Sequence, residues 1–215
     1  IDDLVVFNPT HGGPIDDLVA SADTRCLFSI EQDDPGPGAT LLRRDVLTGA
    51  QAAIAPVGAN GRLAVGRGRE LYVLAGGALQ CWDVDVDPPQ VTASLTGVCG
   101  DSIAYDDQTD ELVVICASTS EATRYARGLS VISGTRTIPA TVPLTSATRH
   151  QVDSSSAKLL LACANGSFYV LTPDTGSSYD VEEIPCPGAT SVESIDMDDA
   201  GNLYVCVDGF VKVLK

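Results

Sequence analysis

The sequence predicts an all-β protein made of one repeated unit, and three observations lead there. First, the 215 residues favour strands and turns over helices, with 22 Asp against 7 Glu, 10 Arg against 3 Lys, 20 Gly, 12 Pro and one Met. Asp and Gly suit turns, whereas the plentiful Val and Thr suit a pleated, half-buried surface. Second, five segments share a short strand, a polar turn and a hydrophobic strand led by leucine: LVASADTRCLFSI, LAVGRGRELYVLA, IAYDDQTDELVVICA, HQVDSSSAKLLLACA and SIDMDDAGNLYVCV. Third, the aligned leucines Leu27, Leu71, Leu112, Leu159 and Leu203 lie 44, 41, 47 and 44 residues apart, so five units fill the chain.

The remaining elements follow in order within each unit. Three copies carry a two-residue hairpin signal after the leucine strand: Gly76-Gly77, Asn165-Gly166 and Asp208-Gly209. Such pairs supply the positive φ of type I′ turns. Third strands follow as ALQCWDV, SFYVLTP and FVKVL, and two third strands end in Thr-Gly, RRDVLTG and VLTPDTG. Fourth strands are expected at AQAAIAPV, QVTASLT, RTIPATVPL and YDVEEIP. The units run over about 15–57, 58–96, 97–145, 146–187 and 188–215, the last borrowing residues 1–7. A four-stranded meander cannot cover both its faces alone. Radial packing around a channel does, which gives a single-domain five-bladed β-propeller. The fifth copy has three strands, so the N-terminal strand Asp3–Phe7 is expected to complete it and close the ring.

At this level SIDMDDAGNLYVCVDGFVKVL resembles an NHL-type repeat, and LYVLAGGALQCWDV and FYVLTPDTG resemble YVTN and quinoprotein-like propeller repeats. The resemblance covers nearly the whole chain through motifs generic to propellers, and implies a fold without an activity. Five blades are shared with tachylectin-like lectins and some glycosidases. The tryptophan-rich repeats of the former are missing, since Trp82 is the single Trp.

Charge and composition exclude several classes. A net charge of −16 and a pI near 4.2 repel nucleic acid and anionic lipid. No window approaches the ~18 uninterrupted apolar residues of a membrane helix, so no membrane insertion is expected. No targeting segment is legible, and the chain opens on Ile1. Seven cysteines, Cys26, Cys81, Cys99, Cys116, Cys163, Cys186 and Cys206, show no C-x-x-C spacing, which argues against a zinc cluster or redox dithiol. Cys116, Cys163 and Cys206 sit in apolar runs and read as buried small hydrophobes, with disulfides among the others left open. Catalytic templates (G-x-S-x-G, a P-loop, H-E-x-x-H) are missing, two histidines cannot build a His-rich metal centre, and no cofactor is implied.

In a propeller the second-to-third turns and the links between blades share one face, here called the upper face. Two connections there read as long: Glu31–Gly38, and Ser118–Gly128, which holds Glu121, Arg124, Tyr125 and Arg127. With the Asn8–Pro14 segment and Arg149-His150, which land on the same face, they nominate His11, Gln32, Asp33, Asp34, Glu121, Arg124, Tyr125, Arg127, Arg149 and His150 as binding-face residues. Asp83, Asp85 and Asp87 alternate along one expected strand as weak metal candidates, with a solvated strand end the preferred reading. Asp196, Asp198 and Asp199 before Gly201-Asn202, like Asp106, Asp107 and Asp110, read as turn chemistry, and so does the glycosylation-like Asn165-Gly166-Ser167.

The expectation is therefore a non-enzymatic interaction or structural module, a subunit of a larger assembly or surface particle such as a virion, binding a protein partner or a second copy of itself through one face. An extracellular or particle-surface setting is slightly favoured over the cytoplasm. A lectin-like glycan binder is the first alternative and a hydrolase with channel-mouth carboxylates the second.

Overall fold

The computed structural model describes residues 12–21, 24–33, 37–130, 132–144, 147–153, 157–186, 188–197, 202–208 and 210–214. Their strands form five antiparallel sheets, each a simple up-and-down meander. The first blade holds β1 (Gly12–Ser21), β2 (Cys26–Asp33), β3 (Gly38–Asp45) and β4 (Gln51–Gly58). The second holds β5 (Arg62–Val65), β6 (Glu70–Ala75), β7 (Ala78–Asp83) and β8 (Gln90–Thr96). The third holds β9 (Ser102–Asp106), β10 (Glu111–Cys116), β11 (Glu121–Ala126) and β12 (Ile132–Thr137). The fourth holds β13 (Ala147–Asp153), β14 (Lys158–Cys163), β15 (Ser167–Pro173) and β16 (Tyr179–Pro185). The fifth has β17 (Val192–Met197), β18 (Leu203–Val207) and β19 (Phe210–Leu214). Inner strands β1, β5, β9, β13 and β17 pack side by side in that order, so the molecule is a five-bladed β-propeller. Residues 1–7, expected to supply the fifth blade's fourth strand, lie outside the described residues.

The leucine repeat acquires a physical meaning here. In blades two, three and four the second strand (β6, β10, β14) is packed between the blades on either side, so both its faces are buried and its sequence is a continuous apolar run. Alternate side chains then serve alternate seams. Leu71 and Val73 pack with Phe28, Ile30 and Leu41 of the first blade. Their neighbours Tyr72 and Leu74 pack with Ile103, Leu112 and Val114 of the third. Val113 and Ile115 join Leu159, Leu161 and Cys163 between blades three and four, while Leu160 and Ala162 join Ile195, Val205 and Val207 between four and five. Leu71, Leu112, Leu159 and Leu203 thus all face the preceding blade. Leu71, Leu112 and Leu159 are 0% exposed. Full burial of a leucine side chain contributes about 1.5–3 kcal/mol, which makes these seams the stabilising element of the ring.

The turns explain the aspartate excess. Asp45 Oδ1 accepts the backbone N–H groups of Leu47 and Thr48 at 2.9 and 2.7 Å. Asp83 Oδ1 takes Asp85 N at 3.0 Å, Asp106 Oδ1 takes Gln108 N and Thr109 N at 3.1 and 3.3 Å, and Asp174 Oδ1 takes Gly176 N and Ser178 N at 2.9 and 3.0 Å. In all four turns a carboxylate reaches a donor two residues on, which Glu is too long to do in the same geometry. Gly76 and Gly77 sit at φ 58° and 74°, as their hairpin requires.

Two expected strands are drawn differently. The third blade's fourth strand is Ile132–Thr137, so only Arg136 and Thr137 of RTIPATVPL belong to it. Pro139 and Pro143 offer no N–H for a ladder, and Ile138, Val142 and Leu144 instead turn inward to fill the seam with blade four. Likewise β7 stops at Asp83, leaving Asp85 and Asp87 in the β7–β8 connection. The three carboxylates do not share a strand face: Asp83 caps the turn, and Asp85 pairs with Arg69 Nε at 2.9 Å.

Candidate functional site: the channel and the upper face

The five inner strands surround a central cavity of about 400 Å³. Its walls differ around the ring. Blades one and two contribute apolar side chains, including Leu18, Leu27, Leu63 and Val65, while Tyr105, Asp107, His150, Gln151 and Asp196 supply polar groups from the other three. Gln151 Nε2 donates to Asp196 Oδ1 at 3.1 Å, tying blade four to blade five across the cavity wall. His150 is 1% exposed, and Ser102 Oγ of blade three lies 2.7 Å from its Nδ1 and accepts its backbone N–H at 3.1 Å. Asp17, 8% exposed, accepts Leu63 N at 2.8 Å, which couples blades one and two. The Asp17 and His150 contacts each join a buried polar side chain to the neighbouring blade, and the more exposed Gln151–Asp196 bond adds a third such tie, so these polar groups help hold the ring together.

The upper face is held by the same chemistry. Asp16 accepts Gln32 Nε2 at 2.6 Å and Asn60 N, on the link into blade two, at 2.7 Å. Asp101, on the link into blade three, accepts Ala117 N at 2.8 Å. Asp208 accepts Thr190 N, Thr190 Oγ1 and Ser191 N on the link into blade five at 2.6–3.1 Å. The Thr190 hydroxyl and amide hold the Asp208 carboxyl below the ordinary aspartate range. Links and turns on this face are thereby fixed to each other.

The sequence candidates divide. Gln32 and Asp33 end β2 on the upper face, Asp33 Oδ1 accepting Thr40 Oγ1 at 3.0 Å, and Glu121 opens β11 there. His11 and Asp34 lie outside the described residues. Arg149 is on inner strand β13, paired in register with Ala162. His150 belongs to the channel wall rather than to a surface loop. The Ser118–Gly128 segment is not a long loop: residues 121–126 form β11, hydrogen-bonded to both β10 and β12. Its polar letters hide an alternation in which Ala122 and Tyr125 are buried at 1% and 7% exposure. Arg124 Nη1 donates to Asp106 Oδ2 at 3.0 Å and Glu111 Oε2 at 3.1 Å. Burial works against its charge, but these bonds outweigh it and raise the guanidinium above its ordinary value. Arg127 lies on the opposite, lower face, its Nε donating to both Glu70 oxygens at 2.9 and 3.0 Å. Beside it Tyr72 OH donates to Glu70 Oε2 at 3.1 Å and accepts Gly128 N at 3.2 Å, and Tyr105 OH donates to Asp110. Burial pushes both phenols far up, so both remain proton donors.

The channel residues Tyr105, Asp107, Gln151 and Asp196 were not singled out by sequence as a set. The signal was available, because inner-strand positions lie seven to nine residues ahead of each aligned leucine, as with Leu18, Leu63, Ala104, His150 and Asp196. Among the cysteines, Cys163 is buried as expected. Cys116 is buried too, yet it forms a disulfide with Cys99, so it is not simply a small hydrophobe. Cys206 is half-buried. Asn165 serves its turn, accepting Ser167 N at 3.1 Å and donating to Tyr169 OH at 2.9 Å. No helix among the described residues is long and apolar enough to cross a membrane.

Fold and channel define the class: a β-propeller. No protein-family profile and no curated protein matches the sequence. Solved structures do match. The β-propeller domain of Myceliophteria thermophila Cps50 (Swd1) superposes with TM-score 0.66 at 15% identity, covering 94% of this chain and 65% of that one. A Kuenenia stuttgartiensis hydrazine synthase chain gives 0.64 at 14% over 96% and 58%, and a Bacteroides thetaiotaomicron protein of unknown function 0.63 at 14% over 90% and 56%. The chain thus spans little more than half the length of several structures it matches. Identities this low establish the shared fold.

Proposed function

We propose that this chain is a protein-binding propeller that docks a partner on its upper face, as a subunit of a larger assembly. The observation that carries the reading is the fixing of that face. Asp16, Asp101 and Asp208 lock interblade links and turns together with backbone hydrogen bonds, so loops that elsewhere drift are preorganised here. A preorganised surface binds without an ordering cost. The net charge of −16 favours a partner with a basic surface and speeds its encounter. Similar propellers occur in a mitotic checkpoint complex structure and as Swd1, which agrees with the reading without specifying a partner. In this reading Gln32, Asp33 and Glu121, at strand ends on that face, are the side chains assigned to the contact.

Native mass spectrometry of the protein isolated from its source, with and without chelator, tests this. The expected result is a protein complex or a defined oligomer that survives the chelator. A monomer carrying stoichiometric metal on carboxylates would overturn it in favour of the hydrolase alternative, and a bare monomer that binds on a glycan array would overturn it in favour of the lectin.

A further inference from the structure

Cys99 and Cys116 are the described cysteines that meet, and their surroundings contain more than a disulfide needs. Cys99 lies on the exposed link between blades two and three, and Cys116 ends β10. A carboxylate oxygen of Asp101 and the two sulfurs all lie within 4.8 Å of one another. Asp101 is held there from both sides of Cys116: its N–H donates to Ile115 O at 2.8 Å, and its Oδ2 accepts Ala117 N at 2.8 Å. The Ser118 hydroxyl stands 3.3 Å from one sulfur and 3.2 Å from the other.

We propose that Cys99, Cys116 and Asp101 form a redox-gated site for a thiophilic divalent cation of the zinc class. The joined sulfurs exclude metal, and the reduced pair binds it. Two thiolates and one carboxylate make a three-ligand set that zinc completes with water or a hydroxyl, and Ser118 is placed to supply the latter. Soft thiolates select zinc-like ions over magnesium or calcium. A backbone donor on one carboxylate oxygen orients the other, as outer-shell partners do in metal sites. Tetrahedral bonds of about 2.3 Å separate two sulfurs by about 3.8 Å, so reduction must let them part, and the exposed Cys99 side chain has room to turn.

The gating step balances with a dithiol reductant. Its thiolate attacks the Cys99 sulfur, the S–S bond breaks, and Cys116 leaves as a thiolate that takes a proton. The reductant's second thiol then displaces Cys99 and leaves as a disulfide, so two electrons pass to the protein pair. Metal binding afterwards releases the two thiol protons to solvent.

The test is cobalt(II) titration of the whole chain under anaerobic conditions. A phosphine reductant is used because dithiols chelate metal; it is itself oxidised to the phosphine oxide with an oxygen from water. One equivalent of cobalt should produce the near-ultraviolet thiolate-to-cobalt charge-transfer band, and zinc should abolish it. The oxidised protein and Cys99→Ser should give no band. Asp101→Asn, which keeps a carbonyl oxygen for Ala117 N, should weaken binding at least about tenfold. The Cys186→Ser/Cys206→Ser variant should behave as wild type. Cys99 is exposed, so its replacement leaves the core intact, and far-ultraviolet circular dichroism verifies the fold. A reduced, folded wild-type chain without the band would overturn the proposal. So would a band that persists in Cys99→Ser, a band lost with Cys186 and Cys206, or unfolding on reduction.

Discussion

Replacing Arg124 with methionine probes the reassignment of β11 from a binding loop to a structural strand. Methionine keeps most of the apolar stem and removes the guanidinium. The Asp106 side chain is 0% exposed and Arg124 17%, so the 3.0 Å contact between them is screened little by solvent. Breaking a buried pair by deleting one partner costs about 3–5 kcal/mol, because it strands the other charge. Asp106 keeps the N–H groups of Gln108 and Thr109, which places the expected loss near the lower end, about 3 kcal/mol. For a chain of this size that lowers Tm by about 6–12 °C. Urea unfolding followed by circular dichroism measures it. Adding Asp106→Asn should recover at least half the loss, since the fully buried carboxylate is then neutral and only the more exposed Glu111 lacks its cation. A loss below about 1 kcal/mol, or no coupling between the two substitutions, would refute the assignment of Arg124 as a structural residue.

Three further outcomes are expected. Gly166→Ala should destabilise by about 2 kcal/mol or more in urea unfolding, because φ is +80° and a Cβ would stand 2.5 Å from Ala189 O. Gly49→Ala, with φ +70° and nothing within 4 Å, should cost only about 1 kcal/mol, and equal losses would contradict the crowding argument. Stability should fall on acidification below about pH 4, since backbone bonds from Thr48 and the bonds from Thr190 lower the pKa of Asp45 and Asp208. A carboxyl with a lowered folded-state pKa contributes stability above its unfolded pKa of about 3.9 and loses it as pH falls through the folded value. Asp45→Asn and Asp208→Asn should each flatten that fall in pH-dependent urea midpoints. Deleting residues 1–7 should lower Tm if they cover the outer edge of blade five, where Phe210, Val211 and Val213 are 73%, 69% and 50% exposed, and an unchanged Tm would argue against that covering strand.

The ring was legible because its signals are one-dimensional. A leucine every 41–47 residues marks the second strand of each blade, and Gly76-Gly77 marks a hairpin through backbone conformation alone. Asp106 was readable as a turn residue for the same reason, since it acts within three residues of itself, whereas Asp45 and Asp174 stood inside expected strands and prove to cap turns. The failures involve distant partners. Whether EATRYA is a loop or a strand depends on β10 and β12, and Arg124 looks like a free surface cation until Asp106 is found 18 residues away. The Gln151–Asp196 bridge and the Cys99–Cys116 bond likewise arise only when the inner strands and links converge.

The most direct test of the docking account is cross-linking mass spectrometry on the complex from the natural source. With only three lysines in the chain, a carboxylate-reactive cross-linker is the appropriate reagent. The account predicts links to the partner at Asp33, Asp101, Glu121 and Asp208 on the upper face. Links gathered instead at Asp45, Asp107, Asp110 and Asp174 on the lower face would contradict it.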